Sequence, residues 1–203
     1  MGVSDETQQG DPGRGDPGRT GSSSLLPLRP ALAAGLAVPG CRAVYAVTFG
    51  LDGDVLAAAD GNGFTYLWDM AGGLAATFAH PGSRGVIGVA FDPDNELLAA
   101  ADANGQVYLW DVASGRLAGA FPHPGSRGVN GVAFAPNGAM LAAADGNGQV
   151  CLWDTASGQL AITFANPGSH GVNAVAFAPG GDLLAAADGN GRTYLWQLSP
   201  SAP

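Results

Sequence analysis

One pattern of aromatic residues occurs four times along this chain of 203 residues. A Trp recurs at intervals of 42, 43 and 43 residues, and a Phe stands nineteen residues before each Trp. The two series are Trp68, Trp110, Trp153 and Trp196, and Phe49, Phe91, Phe134 and Phe177. Residues 85–127 match residues 128–170 at 28 of 43 positions. Such a period predicts stacked units, each covering the hydrophobic surface of the next.

Each unit is expected to form four short antiparallel strands and no helix. In the third copy, strands a to d are predicted at residues 128–134, 140–144, 149–154 and 160–164. Asp-Gly-Asn-Gly between strands b and c is a tight turn, because Asn and Gly tolerate positive φ. Much of the high glycine content, 33 residues, lies in such repeated turns. Alanine runs fill strand b, where we expect neighbouring sheets to crowd toward a common axis.

The strings TYLWD, VYLWD, VCLWD and TYLWQ end strand c of the four copies. They resemble the closing signature of WD40 repeats, and the upstream VAFAP-x-G resembles the first strand and turn of that family. The resemblance implies an all-β fold, a β-propeller of four-stranded antiparallel blades, that serves as a docking platform for proteins. It covers residues 42–203, and more weakly 31–41. The repeats are 42–84, 85–127, 128–170 and 171–203.

The chain departs from the family pattern around each Trp. Gly-His is missing before strand a, and strand b has alanine where the family has Ser or Thr. The family's Asp in the b–c turn aligns with Asn62, Asn104, Asn147 and Asn190. The usual Trp–Ser–Asp–His hydrogen-bond chain therefore cannot form. A turn carbonyl or an Asn side chain could accept from the Trp N–H instead.

The fourth repeat stops after strand c, and residues 31–36 align with strand d. We predict that this N-terminal strand closes the last of four blades. Three arrangements stay open: a closed four-bladed monomer, two chains in one eight-bladed ring, or a fragment of a longer array. Four blades is the lower limit for propellers. Light scattering distinguishes a 20 kDa particle from a 40 kDa one.

Residues 1–30, which contain the doublet GDPGRGDPGR, are expected to be a disordered Gly/Pro/Ser-rich tail ahead of a propeller at residues 31–203. Residues 25–40 followed by Cys41 faintly resemble a lipoprotein export signal. Arg29 and two prolines interrupt it, so we expect a cytoplasmic protein. Eight Arg without any Lys indicate a GC-rich, bacterial coding sequence. The net charge of −9 argues against nucleic acid as a partner, and no apolar run is long enough for a membrane.

Residues for catalysis or metal binding are scarce. His80 and His123 are interpreted as exposed loop histidines, and the serines of the Pro-Gly-Ser turns have no adjacent base. The Asp-x-Asn-Gly turns lack the further oxygen ligands of a calcium loop. We therefore expect no enzyme activity, no cofactor and no metal.

The sharper hypothesis concerns one mouth of the propeller. In the family that the chain resembles, the d–a and b–c loops emerge on the same side. The d–a loops carry Arg42, Arg84, Arg127 and His170, and the b–c loops carry Asp60, Asp102, Asp145 and Asp188. Each Arg could pair with an Asp and tie neighbouring loops, or the ring could bind a polar or acidic peptide. Both roles are compatible.

The function predicted from this pattern is a non-catalytic scaffold for protein–protein interaction, with an unidentified protein or peptide partner. The alternative is a regulatory or sensory module detached from a larger signalling protein such as a kinase. Neighbouring reading frames that encode a kinase or a membrane-bound partner would favour the alternative.

Overall fold

The computed structural model describes residues 35–38, 40–165 and 168–198, and all its strands belong to the compact unit Ala37–Pro203. These residues form fifteen β-strands in four sheets, without a helix. The first two sheets contain β1 Val44–Phe49, β2 Val55–Asp60, β3 Phe64–Asp69, β4 Gly73–Ala79, β5 Val86–Phe91, β6 Leu97–Asp102, β7 Gln106–Asp111 and β8 Leu117–Pro122. The last two contain β9 Val129–Phe134, β10 Met140–Asp145, β11 Gln149–Asp154, β12 Leu160–Ala165, β13 Val172–Phe177, β14 Leu183–Asp188 and β15 Thr193–Gln197.

The strand prediction for the third copy is confirmed to within one residue at every boundary. Each sheet is antiparallel and follows chain order; the first three run from strand a at one edge to strand d at the other, and the fourth runs from strand a to strand c among the described residues. Turn residues determine these boundaries. Gly148 between β10 and β11 has φ +91, a conformation that costs an L side chain more than it costs glycine.

The strands a of successive sheets, β1, β5, β9 and β13, lie side by side. A Cβ on Gly88 would lie 3.2 Å from the Asn130 carbonyl oxygen, and one on Gly131 would lie 3.1 Å from that of Asn173. Glycine therefore lets the backbones of neighbouring sheets approach. The crowding that we expected in strand b is tightest in strand a, whereas the strand b alanines are buried between sheets.

Both sides of an inner sheet are apolar because another sheet packs on each. Between the second and third sheets, Leu109 and Phe121 pack against Leu141 and Trp153. The other two interfaces repeat this arrangement with equivalent residues. Burying one such large side chain contributes about 1.5–3 kcal/mol, so each interface, which buries several of them, stabilises the fold.

The fourth sheet has three strands among the described residues, in the order β13-β14-β15. The closing strand predicted at residues 31–36 lies mostly outside the part that the structure describes, and it stays a prediction. Residues 35–38 have no regular secondary structure. Within the described residues, no helix is long and apolar enough to cross a membrane.

Candidate interaction surface

The d–a loops and the b–c turns lie on one side of the array, here called the loop face. A hydrogen bond from the Asn of each b–c turn to a Gly carbonyl of the d–a loop before it joins the two kinds of loop. The four pairs are Asn62 with Gly40, Asn104 with Gly82, Asn147 with Gly125 and Asn190 with Gly168. The N–O distance is 2.7 Å in the first and third pairs. These bonds fix the position of each loop over the next sheet.

The four aspartates of the b–c turns are buried, which corrects the expectation that they ring the mouth as contact residues. Asp60, Asp102 and Asp145 are 0% exposed and Asp188 is 7% exposed. Asp145 Oδ1 accepts hydrogen bonds from the backbone N–H groups of Asn147, at 3.0 Å, and Gln149, at 2.8 Å. Asp60 caps its own turn in the same way. These carboxylates stabilise the turns and are not accessible to a partner.

The cations of the d–a loops are exposed on the loop face, at Arg42, Arg84, Arg127 and His170. The expected Arg–Asp pairs do not form among residues 40–165 and 168–198, where the one basic side chain within 4.0 Å of a carboxylate is His123, beside Asp145. The burial of the aspartates explains this absence. The guanidinium groups of Arg84 and Arg127 therefore keep their donors available.

Sequence reasoning missed a further cation on this face, Arg192, which follows the b–c turn of the fourth sheet. A hydrogen bond to Tyr194 raises the pKa of its guanidinium. Arg192 could have been found from the sequence, because an arginine at this position departs from the repeat. The equivalent positions hold Phe64, Gln106 and Gln149, and none of these is charged.

His80 and His123 are buried, so their interpretation as exposed loop residues is wrong. They are 5% and 3% exposed, and each meets the Trp of the following sheet edge to face. The ring centroids are 5.4 Å apart for His80 and Trp110. His80 Nε2 also lies 2.9 Å from Thr65 Oγ1 in the preceding sheet. Each His thus fills the space between two sheets below a d–a loop.

His123 lies in a buried cluster with Asp145 and Cys151. Its Nδ1 is 3.6 Å from Asp145 Oδ2 and 3.8 Å from Cys151 Sγ. Cys151 replaces the Tyr of the other copies, and at the equivalent position His80 packs against Tyr108 with ring centroids 5.0 Å apart. Burial lowers the pKa of His123 and raises that of the Cys151 thiol. A protonated thiol without access to solvent is a poor nucleophile, so the cluster supports packing rather than catalysis.

The Trp N–H groups do not all find the acceptors considered for them. Trp110 Nε1 is buried without a hydrogen-bond partner. The side-chain amide nitrogens of Asn62 and Asn104 donate to loop carbonyls. Stacking on Phe78, with ring centroids 5.1 Å apart, holds this indole in place.

Acid is expected to destabilise the fold through His80. Burial lowers its pKa to about 4, although Asp60 nearby acts in the opposite direction. The unfolded chain, with a His pKa of about 6.5, therefore binds more protons between pH 6.5 and pH 4. Stability is fully present above pH 6.5, and about 3 kcal/mol is lost as the pH falls through this window.

Urea denaturation at pH 7.5 and pH 4.5 measures this loss. The His80→Gln variant is expected to be less stable at neutral pH but to show a shallower acid dependence. His170→Gln, which removes an exposed imidazole, is the matched control and should keep the dependence of the wild type. An unchanged slope in His80→Gln would assign the acid sensitivity to other groups.

The antiparallel sheets, which stack on one another through the Trp residues of strand c, have the construction of propeller blades. The geometry therefore places the chain in the β-propeller class. Three segments, residues 72–111, 115–154 and 158–197, match the family model of the WD40 repeat (WD domain, G-beta repeat). They span more than half of the chain, and the chain belongs to the WD40-repeat family. No curated protein sequence matches it significantly. Each matched segment begins before strand d of one sheet and ends with strand c of the next.

Proposed function

We propose that this chain is a non-catalytic scaffold that binds an acidic segment of a protein partner on its loop face. WD40 repeats generally mediate protein–protein interaction, and this general role applies to the chain as a family member. The observation that carries the finer proposal is the exposure of Arg42, Arg84 and Arg127 on one face while the aspartates beside them are buried.

Charge is divided between the two faces of the array. Four of the five arginines in the described segments lie on the loop face, and Arg116 lies on the opposite side. The a–b and c–d turns, on that opposite side, carry the exposed acids Asp52, Asp54, Asp69, Asp94, Glu96 and Asp182. A chain with a net charge of −9 therefore presents a local cationic surface. Guanidinium forks match carboxylates in geometry and charge, which favours an acidic partner.

The test compares three immobilised baits: wild type, Arg84→Ala/Arg127→Ala and Arg116→Ala. We expect a partner that wild type and Arg116→Ala capture equally, and that the double variant captures at least about tenfold less. Quantitative mass spectrometry of a pull-down measures the ratio. Capture should also weaken with added salt, because exposed charge pairs are screened. Equal capture by all three baits would exclude the loop face as the binding surface.

A further inference from the structure

The array leaves a hydrophobic face exposed at each end. On the first sheet, Val44, Val47 and Phe49 of β1 are 54%, 63% and 61% exposed; they form the first end face. On the last sheet, Leu195 of β15 is 67% exposed, beside exposed Thr193 and Ala187. These three residues form the last end face. Solvent-exposed apolar surface of this kind marks an interaction site.

Where two sheets meet, the positions that correspond to Val44 and Leu195 are buried, and those that correspond to Val47 and Phe49 are partly buried. Val86, Val129 and Val172, which correspond to Val44, are 0% exposed. Leu67, Leu109 and Leu152, which correspond to Leu195, are 4%, 3% and 2% exposed. The exposed residues thus have the chemical types of the inner interfaces and differ only in lacking a neighbour.

The two end faces complement each other. At each inner interface, the face with the strand c Leu packs against the next sheet's face with the strand a Val and Phe. The last end face carries the strand c Leu, Leu195. The first end face carries the strand a Val and Phe, at Val44, Val47 and Phe49. A fourth interface of the same construction therefore forms when the last sheet of one molecule meets the first sheet of another.

The first sheet already has the loop contacts of an inner interface. Val38 packs on Tyr66 and Trp68, where His80 and His123 contact the Trp of the later sheets. Asn62 donates to the Gly40 carbonyl at 2.7 Å, as the other turn asparagines do to their loops. On the side of the first sheet that carries Trp68, the part along β3 is therefore covered by Val38. The part along β1 is uncovered and can contact a neighbouring sheet.

We propose that two copies pair head to tail through these end faces and complete a ring of eight sheets. Within one chain all three inner interfaces are made, yet the end faces remain exposed. Four sheet-to-sheet steps that closed a ring would bring the end faces together, and the exposure of both faces shows that these four sheets do not close on themselves. A second copy adds four steps of the same size. Eight sheets lie within the propeller range, and both interfaces of the pair are equivalent by twofold symmetry.

Light scattering of the full chain during gel filtration tests the pairing. The expected particle has twice the chain mass of 20.2 kDa. A 20 kDa particle at every concentration tested overturns the proposal. So does a polydisperse series of larger particles, because head-to-tail contacts that do not close form open polymers.

Two single variants test the faces themselves. Val47→Arg and Leu195→Arg each place a charge in both interfaces of the pair, and each should raise the dissociation constant at least about 100-fold. Because both side chains are exposed in the single chain, these variants should keep the wild-type circular dichroism. Leu117→Arg changes an equally apolar residue, 42% exposed on β8, and should leave the dimer intact.

Mixing the two variants distinguishes head-to-tail pairing from a symmetric contact of like faces. In a mixed pair, one interface joins the unaltered first end face of the Leu195→Arg chain to the unaltered last end face of the Val47→Arg chain, and the second interface joins the two substituted faces. The mixed pair is therefore held by one intact interface, whereas neither variant alone has any. An equimolar mixture should therefore regain a 40 kDa particle that neither variant forms alone. Absence of this particle, or a dimer that survives either single substitution, overturns the proposal.

Discussion

Replacement of Trp153 by alanine is expected to lower the free energy of unfolding by about 4 kcal/mol. The indole is 2% exposed in the interface between the second and third sheets. It stacks on Phe121 with ring centroids 6.1 Å apart and meets the His123 ring at 5.6 Å. Truncation leaves a cavity between two sheets whose backbones are already in close contact along strand a, so the interface cannot collapse to fill it. Urea denaturation followed by circular dichroism measures the loss.

Trp196→Ala is the matched control for this substitution. Trp196 stacks on Phe164 at 4.9 Å but is only half-buried, and its strand β15 is an edge strand of the fourth sheet among the described residues. The expected loss is about half as large. An equal or greater loss in Trp196→Ala would show that the burial of the indole does not decide its contribution to stability.

The Asp145→Ala substitution is expected to destabilise the fold by about 3 kcal/mol. The carboxylate accepts from two turn N–H groups and lies beside His123, with no exposure to solvent. Removing it leaves those part-buried N–H groups without their acceptor, which costs more than losing a hydrogen bond at the surface. Asp145→Asn keeps a carbonyl oxygen in place and should recover part of the loss.

Asp154→Ala provides the comparison at an exposed turn. Asp154 accepts from the Ser157 N–H at 2.8 Å and from the Ser157 hydroxyl at 2.7 Å, contacts that lower its pKa. Water can replace these contacts, so the expected loss is about 1 kcal/mol or less. The urea midpoints of Asp145→Ala, Asp145→Asn and Asp154→Ala give the order of their losses in stability. Similar losses in Asp145→Ala and Asp154→Ala would contradict the role assigned to burial.

Much of the fold could be predicted because its signals are local and repeated. The Asp-Gly-Asn-Gly turn places strands b and c on either side of it, and the strand boundaries around Asp145 follow from that turn. Because the four copies align in register, the same turn residues mark each strand boundary in every copy. The family assignment rests on the same strings, which end in strand c at each Trp.

The loop face could be predicted only in part. Its cations are exposed because their long side chains extend from the loops, as the sequence suggested for Arg84 and Arg127. Its aspartates, His80 and His123 looked equally exposed in sequence, since they lie in polar, Gly-rich loops. Their burial depends on residues from another turn or sheet. Asn147 is 22 residues from Gly125, and His80 contacts Trp110 in the next sheet.

The sequence by itself determined the repeat, the all-β class, the strand boundaries and the family, because periodicity and turn chemistry act over a few residues. Only the tertiary structure decided which polar groups are buried and which faces stay exposed. Val44 and Val86 occupy the same position in the repeat, yet one is 54% exposed and the other 0%. The physical reason is that burial is a property of the neighbouring sheet. A repeat cannot encode whether a neighbour is present at its ends.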